Sequence, residues 1–318
     1  MKPWHARWRR PAQWAVLALF AVLPWLNRKG FHGVSGTLFS LEAWGLPLAD
    51  PLAAVQVLAA GALPGARLLL GGLLVLAVAV VLGRVFCSWG CPYGLLSELV
   101  HARRKGGPRA ACAACLARPR TGAEPDAAAR PHATAHQDAT AHQDASRLTS
   151  LSPTWRNGFP VRAGMAAAGL ALTVLAGAPL LNQLSLPGEI TLQLLALSRP
   201  APSAWDWPWT GLVLVVALLA AEWRTRTRLW CRYLCPQSVL LSLAARLWPG
   251  ALAIRRDMRR CTCSPNDRAC AGACSMGLDP RIPTRAPRSE CTNCGDCATA
   301  CAARGGALRL GFREPPDA

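Results

Sequence analysis

The chain has 318 residues, 52% of them apolar and only 16% charged, with a formal net charge of +18. The apolar residues are concentrated in blocks, which excludes an ordinary water-soluble domain and a disordered chain. Lys and Arg flank these blocks without any nucleic-acid-binding motif. We therefore expect attraction to anionic lipid headgroups and no nucleic-acid partner.

Four apolar segments are predicted to cross a membrane: about residues 12–26, 68–86, 161–181 and 209–227. The second approaches the roughly 20 apolar residues that a span needs. The first is shorter and contains Pro24, but no small-residue cleavage site follows it, so we expect a retained helix and not a signal peptide. The segments between paired spans are predicted to be helical as well. Asp50 and Pro51 form an N-cap and first-turn pair, and Leu186 to Leu197 is a weaker counterpart.

The basic residues predict the orientation of these spans. Four Lys or Arg precede the first span, ten lie from Arg103 to Arg162 and sixteen lie from Arg224 onward, whereas the other two loops hold only four. We therefore expect a multi-pass protein with both termini in the cytoplasm. All 14 cysteines fall on that side or at helix ends that face it. Thiols in a reducing compartment favour metal ligation over disulfides.

The chain contains an internal repeat. Two similar segments, RVFCSWGCP and RLWCRYLCP, each stand at the end of an apolar block. Cys87 and Cys91 each lie 144 positions before Cys231 and Cys235, respectively, and Arg84 matches Arg228 at the same offset. Both halves begin on the cytoplasmic side, so the repeat is parallel. The predicted fold is an all-α polytopic membrane protein, with four transmembrane helices as two parallel-repeated hairpins and a small carboxy-terminal two-cluster ferredoxin-like domain.

Four domains follow from this pattern: a first membrane half at 1–105, a disordered cytoplasmic linker at 106–150, a second membrane half at 151–250 and the ferredoxin-like domain at 251–318. The linker is rich in Ala, Pro and polar residues and carries TAHQDA twice in tandem. It also holds potential metal ligands that we interpret as incidental, because nothing rigid positions them: His132, His136, His142, Cys112 and Cys115.

The tail carries the strongest motif, CTNCGDCATAC, with the C-x2-C-x2-C-x3-C spacing of a [4Fe–4S] loop. Zinc is the alternative, but tetrahedral zinc sites usually separate two CxxC pairs by a longer loop. The upstream partner motif is irregular. In two-cluster ferredoxins the fourth cysteine serves the other cluster, which gives two predicted ligand sets. One set is Cys291, Cys294, Cys297 and Cys274; the other is Cys261, Cys263, Cys270 and Cys301.

The duplicated CxxxCP pairs predict a further site. Residues i and i+4 lie on one helical face, so each pair can direct two thiols at one point. Four thiolates from two symmetric halves, Cys87, Cys91, Cys231 and Cys235, are enough for a third cluster or a redox-active thiol site. The plain alternative is that these cysteines are small buried apolar residues.

At these residues the chain resembles the NapH/MauN family of membrane ferredoxin-type proteins, which are linked to quinol oxidation. The resemblance covers nearly everything outside the linker. It implies four helices in the bacterial inner membrane, two [4Fe–4S] clusters in the tail, and electron transfer from the quinol pool to a periplasmic ferredoxin-type or cytochrome partner. The final system is either periplasmic nitrate reductase or methylamine dehydrogenase. The chain departs from the family in its irregular upstream motif and its long linker.

These observations favour an electron carrier or a quinol dehydrogenase subunit without an independent catalytic reaction. Quinol oxidation needs a proton acceptor, for which Glu98, His101 and Glu222 are candidates. The alternative function is a copper-handling or oxidase-assembly protein that uses CxxxCP as a soft-metal pair. No Met-rich outer loop supports it. A cluster-bearing sensor is a weaker third hypothesis, because no input domain is evident.

Overall fold

The computed structural model describes residues 3–30, 33–36, 40–103, 158–178, 181, 185–197, 209–225, 227–263, 269–282, 289–302 and 305–312. The predicted linker at 106–150, with its cysteines and histidines, lies outside the described residues. The described chain is mostly helical, as predicted.

The first half contains five helices and three short strands. In chain order they are α1 (Trp4–Arg28), β1 (Val34–Gly36), β2 (Ser40–Ala43), β3 (Leu46–Ala49), α2 (Pro51–Ala59), α3 (Ala66–Leu82), α4 (Phe86–Trp89) and α5 (Pro92–Arg103). The strands form one antiparallel sheet in the order β1-β2-β3. An all-α sequence interpretation did not predict this sheet, which lies where an outer loop was expected.

The second half repeats the helical pattern without that sheet among its described residues. It consists of α6 (Gly158–Ala176), α7 (Leu186–Leu197), α8 (Trp209–Thr225), a π-helical turn (Trp230–Leu234) and α9 (Gln237–Leu247). The bounds of α7 match the predicted segment. The predicted start of α2 is confirmed too, because the Asp50 carboxylate accepts a hydrogen bond of 2.8 Å from the Leu52 amide.

The carboxy-terminal domain is small. Its described elements are β4 (Ala253–Arg256), a 3-10 turn (Met258–Arg260), α10 (Ala269–Gly272), α11 (Asp296–Ala302) and β5 (Leu308–Gly311). Strands β4 and β5 pair antiparallel, and the side chains of Ile254 in β4 and Leu308 in β5 are buried. The domain is joined to the first half at Leu252, whose amide donates to the Val81 carbonyl of α3 at 2.9 Å.

By length and composition, one helix in the described part of the chain is long and apolar enough to cross a membrane, namely α6. The helices in the other predicted spans include α3, with 17 residues, and α8, also with 17. The four-helix membrane arrangement therefore stays a prediction.

The two CxxxCP signatures have the same backbone geometry. The Cys91 amide donates to the Phe86 carbonyl at 2.9 Å, and the equivalent Cys235 amide donates to the Trp230 carbonyl at 2.8 Å. Both bonds span five residues, so each signature is closed by a π-type turn, a feature common at functional sites. The internal repeat predicted from sequence is thus visible in local structure.

Candidate metal centre

One cavity of the carboxy-terminal domain, here called the proximal cavity, has a volume of about 500 Å³. Four thiols line it: Cys274, Cys291, Cys294 and Cys297. These are the four residues that the crossed-ligand rule groups together. Burial raises the pKa of Cys274 and Cys291 to about 11 and that of Cys294 to about 12. Without a metal they are therefore neutral thiols, and cluster binding must displace their protons.

A second cavity, here called the distal cavity, is lined by the other predicted set, Cys261, Cys263, Cys270 and Cys301. Its volume is about 10 Å³, which is room for about one water molecule. The donor set therefore fits a cluster, but the space does not. Helix α11 separates the two cavities, because its Cys297 lines the first and its Cys301 lines the second.

Within the described residues, no three His, Cys, Asp or Glu side chains are grouped to hold a single metal ion. A cubane cluster is bound differently, because each of its four irons takes one thiolate and the thiolates surround the whole cube. The proximal cavity fits that group in donor type, donor number and volume. All twelve cysteines that the structure describes are free thiols.

The four CxxxCP thiols come together next to the proximal cavity. The charge of Cys87 contributes to raising the pKa of Cys91 to about 12 and that of Cys235 to about 11, although burial is the larger cause in both. Burial, and next the charge of Cys87, likewise raise the pKa of Cys231. One buried apolar cluster contains Cys91, Cys231, Tyr93 and Met276, with Cys235 and Cys274 packed against it. Since Cys274 and Met276 also line the proximal cavity, the two thiol groups share a wall.

The first signature also binds the loop that carries CTNC. Ser88 Oγ donates to the Thr292 carbonyl at 2.6 Å. Arg84, which is fully buried, donates to the Ser289 carbonyl at 3.0 Å and to the Cys231 carbonyl at 3.3 Å. A single guanidinium therefore connects this loop to the second signature.

The glycine that ends α3 lets the same loop approach. Gly83 has a φ of +68°, and a Cβ placed on it would lie 2.7 Å from Asn293 Nδ2. This amide donates to the Leu82 carbonyl at 2.9 Å and to the Leu252 carbonyl at 2.8 Å. Any other residue at position 83 would be both strained and too close to the loop.

A buried ion pair fixes the start of the CTNC loop. Arg162 Nη1 lies 3.0 Å from Glu290 Oε2, and Arg162 Nη2 lies 3.1 Å from Glu290 Oε1. The exposed fractions of the two side chains are 0% and 2%. Arg162 also donates to the Arg232 carbonyl at 2.9 Å. Helix α6 is thus connected to both the second signature and the cluster motif.

A second buried charged group interacts with Cys294 of the proximal cavity. Glu98 Oε1 lies 2.5 Å from Arg228 Nη2 and 3.1 Å from Arg9 Nη1, and Arg9 Nη2 continues to Asp296 at 2.7 Å. Burial would raise the pKa of Glu98, but the charges of Arg228 and Arg9 outweigh it and lower the pKa. Both arginines interact electrostatically with Cys294, so they favour negative charge in the cavity.

Comparison with known proteins finds similarity to ferredoxin-type proteins. A family model described as a 4Fe–4S binding domain matches residues 64–108 and 207–257, together less than a third of the chain. Ferredoxin-type protein NapH of Haemophilus influenzae is 35% identical over 116 residues, which is 33% of this chain and 38% of that protein. Methylamine utilization ferredoxin-type protein MauN of Methylorubrum extorquens is 38% identical over 105 residues, 32% of this chain and 36% of that protein. The predicted resemblance to the NapH/MauN family is confirmed.

The NapH/MauN matches span little more than a third of those relatives' length. A longer match is with the putative electron transport protein YccM of Escherichia coli, 24% identical over 322 residues, covering 94% of this chain and 75% of that protein. No solved structure gives a significant match. Together the matches support a ferredoxin-type electron-transfer protein that binds iron–sulfur clusters. Both matched segments of the family model contain a CxxxCP signature, in agreement with the internal repeat.

Sequence reasoning missed the residues that hold the NapH/MauN-like motifs together. Glu290 and Arg162 are 128 positions apart, and Arg84 reaches the CTNC loop across 205 positions. The one available signal was the conspicuous placement of Arg84 and Arg228 three residues before each CxxxC pair. Nothing in the sequence pattern indicated Glu290.

Proposed function

We propose that this chain is a membrane-anchored iron–sulfur electron carrier that takes electrons from quinol. The observation that carries the proposal is the wall shared by the CxxxCP thiols and the proximal cavity, formed by Cys274 and Met276. Redox groups held on either side of one wall are well placed for electron transfer. The buried apolar cluster around Cys91 and Cys231 shields these two thiols from water.

Exposed apolar side chains support membrane insertion of the three predicted spans that contain α3, α6 and α8. Large apolar residues exposed on the helix surfaces include Leu73 of α3 at 62%, Leu175 of α6 at 83% and Val213 of α8 at 64%. A water-soluble protein rarely exposes such contiguous surface. Trp209 and Trp223 are exposed near the two ends of α8, as expected for side chains at the two membrane interfaces.

Cys274, Cys291, Cys294 and Cys297 would hold the first [4Fe–4S] cluster. A second cluster on Cys261, Cys263, Cys270 and Cys301 would require these residues to move apart, because the distal cavity is too small for it. When bound, such a cluster accepts and releases single electrons. The chain's own contribution at the proximal cavity is electrostatic. Arg9 and Arg228 counter the negative charge that thiolates and cluster bring into a buried site.

A tyrosine–glutamate pair and a buried indole support a quinol site between α5 and the π-helical turn that follows α8. The Tyr93 hydroxyl is hydrogen-bonded to Glu222, whereas the Trp230 indole nitrogen forms no hydrogen bond among the described residues, and the two rings lie 6.4 Å apart. Burial, and next the charge of Glu222, raise the pKa of Tyr93, so its hydroxyl remains a donor. A polar pair and one unpaired donor in an apolar wall suit the oxygens of a quinol head group.

Of the three predicted proton acceptors, Glu222 fits this site best. It is fully buried and accepts hydrogen bonds from Ser97 Oγ at 2.5 Å and from the Trp230 amide at 3.1 Å. Among the described residues it forms no ion pair, whereas Glu98 is bound by arginines. His101 lies one turn away and contacts the Ser97 carbonyl at 2.6 Å. We therefore assign proton acceptance to Glu222.

The test uses the full chain in lipid nanodiscs, prepared anaerobically and mixed with a reduced menaquinol analogue. Low-temperature EPR should show the reduced-cluster signal. Tyr93→Phe with Glu222→Gln should slow its appearance at least tenfold. Tyr233→Phe is the matched control, since Tyr93 and Tyr233 are the only tyrosines in the chain. If wild-type clusters stay oxidised with quinol, quinol oxidation is wrong.

The four CxxxCP thiols are proposed to hold a third cluster or to act as a redox-active thiol site. Iron analysis of a Cys87→Ser and Cys231→Ser double variant tests ligation, and unchanged iron content excludes it. The grouping of these soft donors beside Met276 also favours a second candidate function, copper handling. Tight Cu(I) binding by a chain whose clusters do not respond to quinol would replace the first proposal by the second.

The onward partner is proposed from the resemblance to the NapH/MauN family. NapH and MauN are ferredoxin-type proteins, and MauN is described as a methylamine utilization protein. We infer delivery of electrons to a periplasmic ferredoxin-type or cytochrome partner of a nitrate reductase or methylamine dehydrogenase system. A multi-pass chain in the bacterial inner membrane, with cytoplasmic termini, is part of this proposal. Accessibility labelling of single introduced cysteines at both ends tests that topology.

A further inference from the structure

One face of the two-stranded sheet in the carboxy-terminal domain carries two arginines. Arg255 of β4 lies directly opposite Arg309 of β5, while the neighbouring Ile254 and Leu308 point into the core. Like charges directly opposite each other destabilise a sheet. Arg309 is exposed and Arg255 is half-buried at the edge of the proximal cavity. The cost of placing these two charges opposite each other is explained if the pair binds something negative.

No carboxylate within the described chain neutralises this pair. Arg255, Arg259 and Arg309 form no ion pair there, and Arg255 Nε is buried without a hydrogen-bond partner. The nearby Asp257 is already bound to Arg260 at 3.0 Å. The face therefore presents net positive charge.

Two large apolar side chains flank these arginines. Met258 follows β4 and is 44% exposed, and Phe312 follows β5 and is 49% exposed. Arginine, methionine and aromatic residues are the types enriched at protein–protein interfaces. We call the surface formed by Arg255, Met258, Arg259, Arg309 and Phe312 the β4–β5 face.

This face borders the proximal cavity. Ala253, Ile254, Arg255 and Gly311 all belong to the sheet and all line that cavity. A protein docked on the face would therefore have its own redox centre beside the cavity thiols. A membrane surface is a poorer fit, because Met258 and Phe312 lie at opposite ends of the sheet and not in one apolar band.

We propose that the β4–β5 face docks a soluble one-electron carrier protein with an acidic surface. One electron passes between the partner's redox centre and the group held by the proximal thiols. One side is oxidised by one electron as the other is reduced, and no bond forms or breaks. This partner is additional to the quinol and periplasmic partners, and the proposal does not depend on quinol oxidation.

The test measures association of an acidic flavodoxin with the full chain in uncharged phosphatidylcholine nanodiscs, by biolayer interferometry at two salt concentrations. Arg255→Glu with Arg309→Glu should lower the association rate at least tenfold and remove most of its salt dependence. The matched control is Lys29→Glu with Arg67→Glu, which changes charge equally at a distant surface and should leave the rate unchanged. Equal rates for all three proteins would overturn the proposal.

A single variant separates docking from folding. Arg255→Glu alone places opposite charges across the sheet, so the thermal midpoint should rise slightly while association falls at least threefold. Iron content measured on the same samples shows whether the proximal site is still loaded. If the charge reversals weaken flotation with anionic phosphatidylserine vesicles but not flavodoxin association, the face binds lipid and the proposal is wrong.

Discussion

The proximal and distal cavities have the same number of thiols but differ in what surrounds them. The loop of the proximal cavity is held from outside its own domain by Ser88, Arg84 and Arg162. The distal cavity is lined only by residues of the carboxy-terminal domain, and it is about fifty times smaller. Similar ligand sets thus give a preformed site only where neighbouring elements fix the loops.

The largest expected effect comes from removing one predicted cluster ligand, and it is measured in two single variants, one for each cavity. Cys294→Ser should abolish the proximal cluster and with it about four irons per chain. Cys263→Ser should leave that cluster's EPR signal intact. Iron, sulfide and EPR measurements on the two variants compare the cavities directly. Equal loss of iron, sulfide and EPR signal in both variants would contradict the proposed difference between the two cavities.

Breaking the buried ion pair should be the next largest effect. Arg162→Met leaves Glu290 buried and uncompensated, which costs roughly 3–5 kcal/mol. The thermal midpoint should fall sharply and the proximal cluster should become labile. Arg67→Met removes an exposed pair with Glu42 and should cost less than about 1 kcal/mol. If adding Glu290→Leu to Arg162→Met fails to restore stability, the pair is not the cause.

A smaller effect is expected from Gly83→Ala. The positive φ and the close approach of Asn293 should together cost about 1–3 kcal/mol and alter the proximal EPR signal. Gly30→Ala is the matched control, because Gly30 also has a positive φ but an added Cβ there would have no other atom within 4 Å. An unchanged EPR signal in Gly83→Ala would show that this contact does not position the loop.

The smallest effect should come from Ser88→Ala, which deletes one hydrogen bond to the Thr292 carbonyl. A loss of about 0.5–1.5 kcal/mol is expected, visible as a modest decrease in thermal midpoint. Hydrogen exchange of the CTNC loop should rise, while exchange around the distal cysteines stays the same. Increased exchange at both sites would mean that the bond supports the whole domain.

Much of the local structure could be predicted from the sequence. Cysteine spacing grouped the eight tail cysteines into the same two sets that line the two cavities, and the cap at Asp50 and the extent of α7 followed from local patterns. Such signals depend on neighbours a few residues away. The sheet β1–β3 was missed, because its strands have only three or four residues each.

Contacts between residues far apart in the chain could not be predicted from the sequence. The role of Glu290 depends on Arg162, and that of Asn293 depends on two carbonyls, one at the last residue of α3 and one just before β4. A single sequence does not show which distant buried charges meet. The small volume of the distal cavity was equally unpredictable, although its irregular motif already indicated a difference from the regular one.

The central claim is that buried thiols of the carboxy-terminal domain hold a [4Fe–4S] cluster. Iron and acid-labile sulfide per chain, measured on anaerobically purified wild-type protein with EPR after dithionite reduction, test it most directly. The account predicts at least about four irons and four sulfides per chain with a reduced-cluster signal. A colourless protein that contains zinc and no sulfide would contradict it.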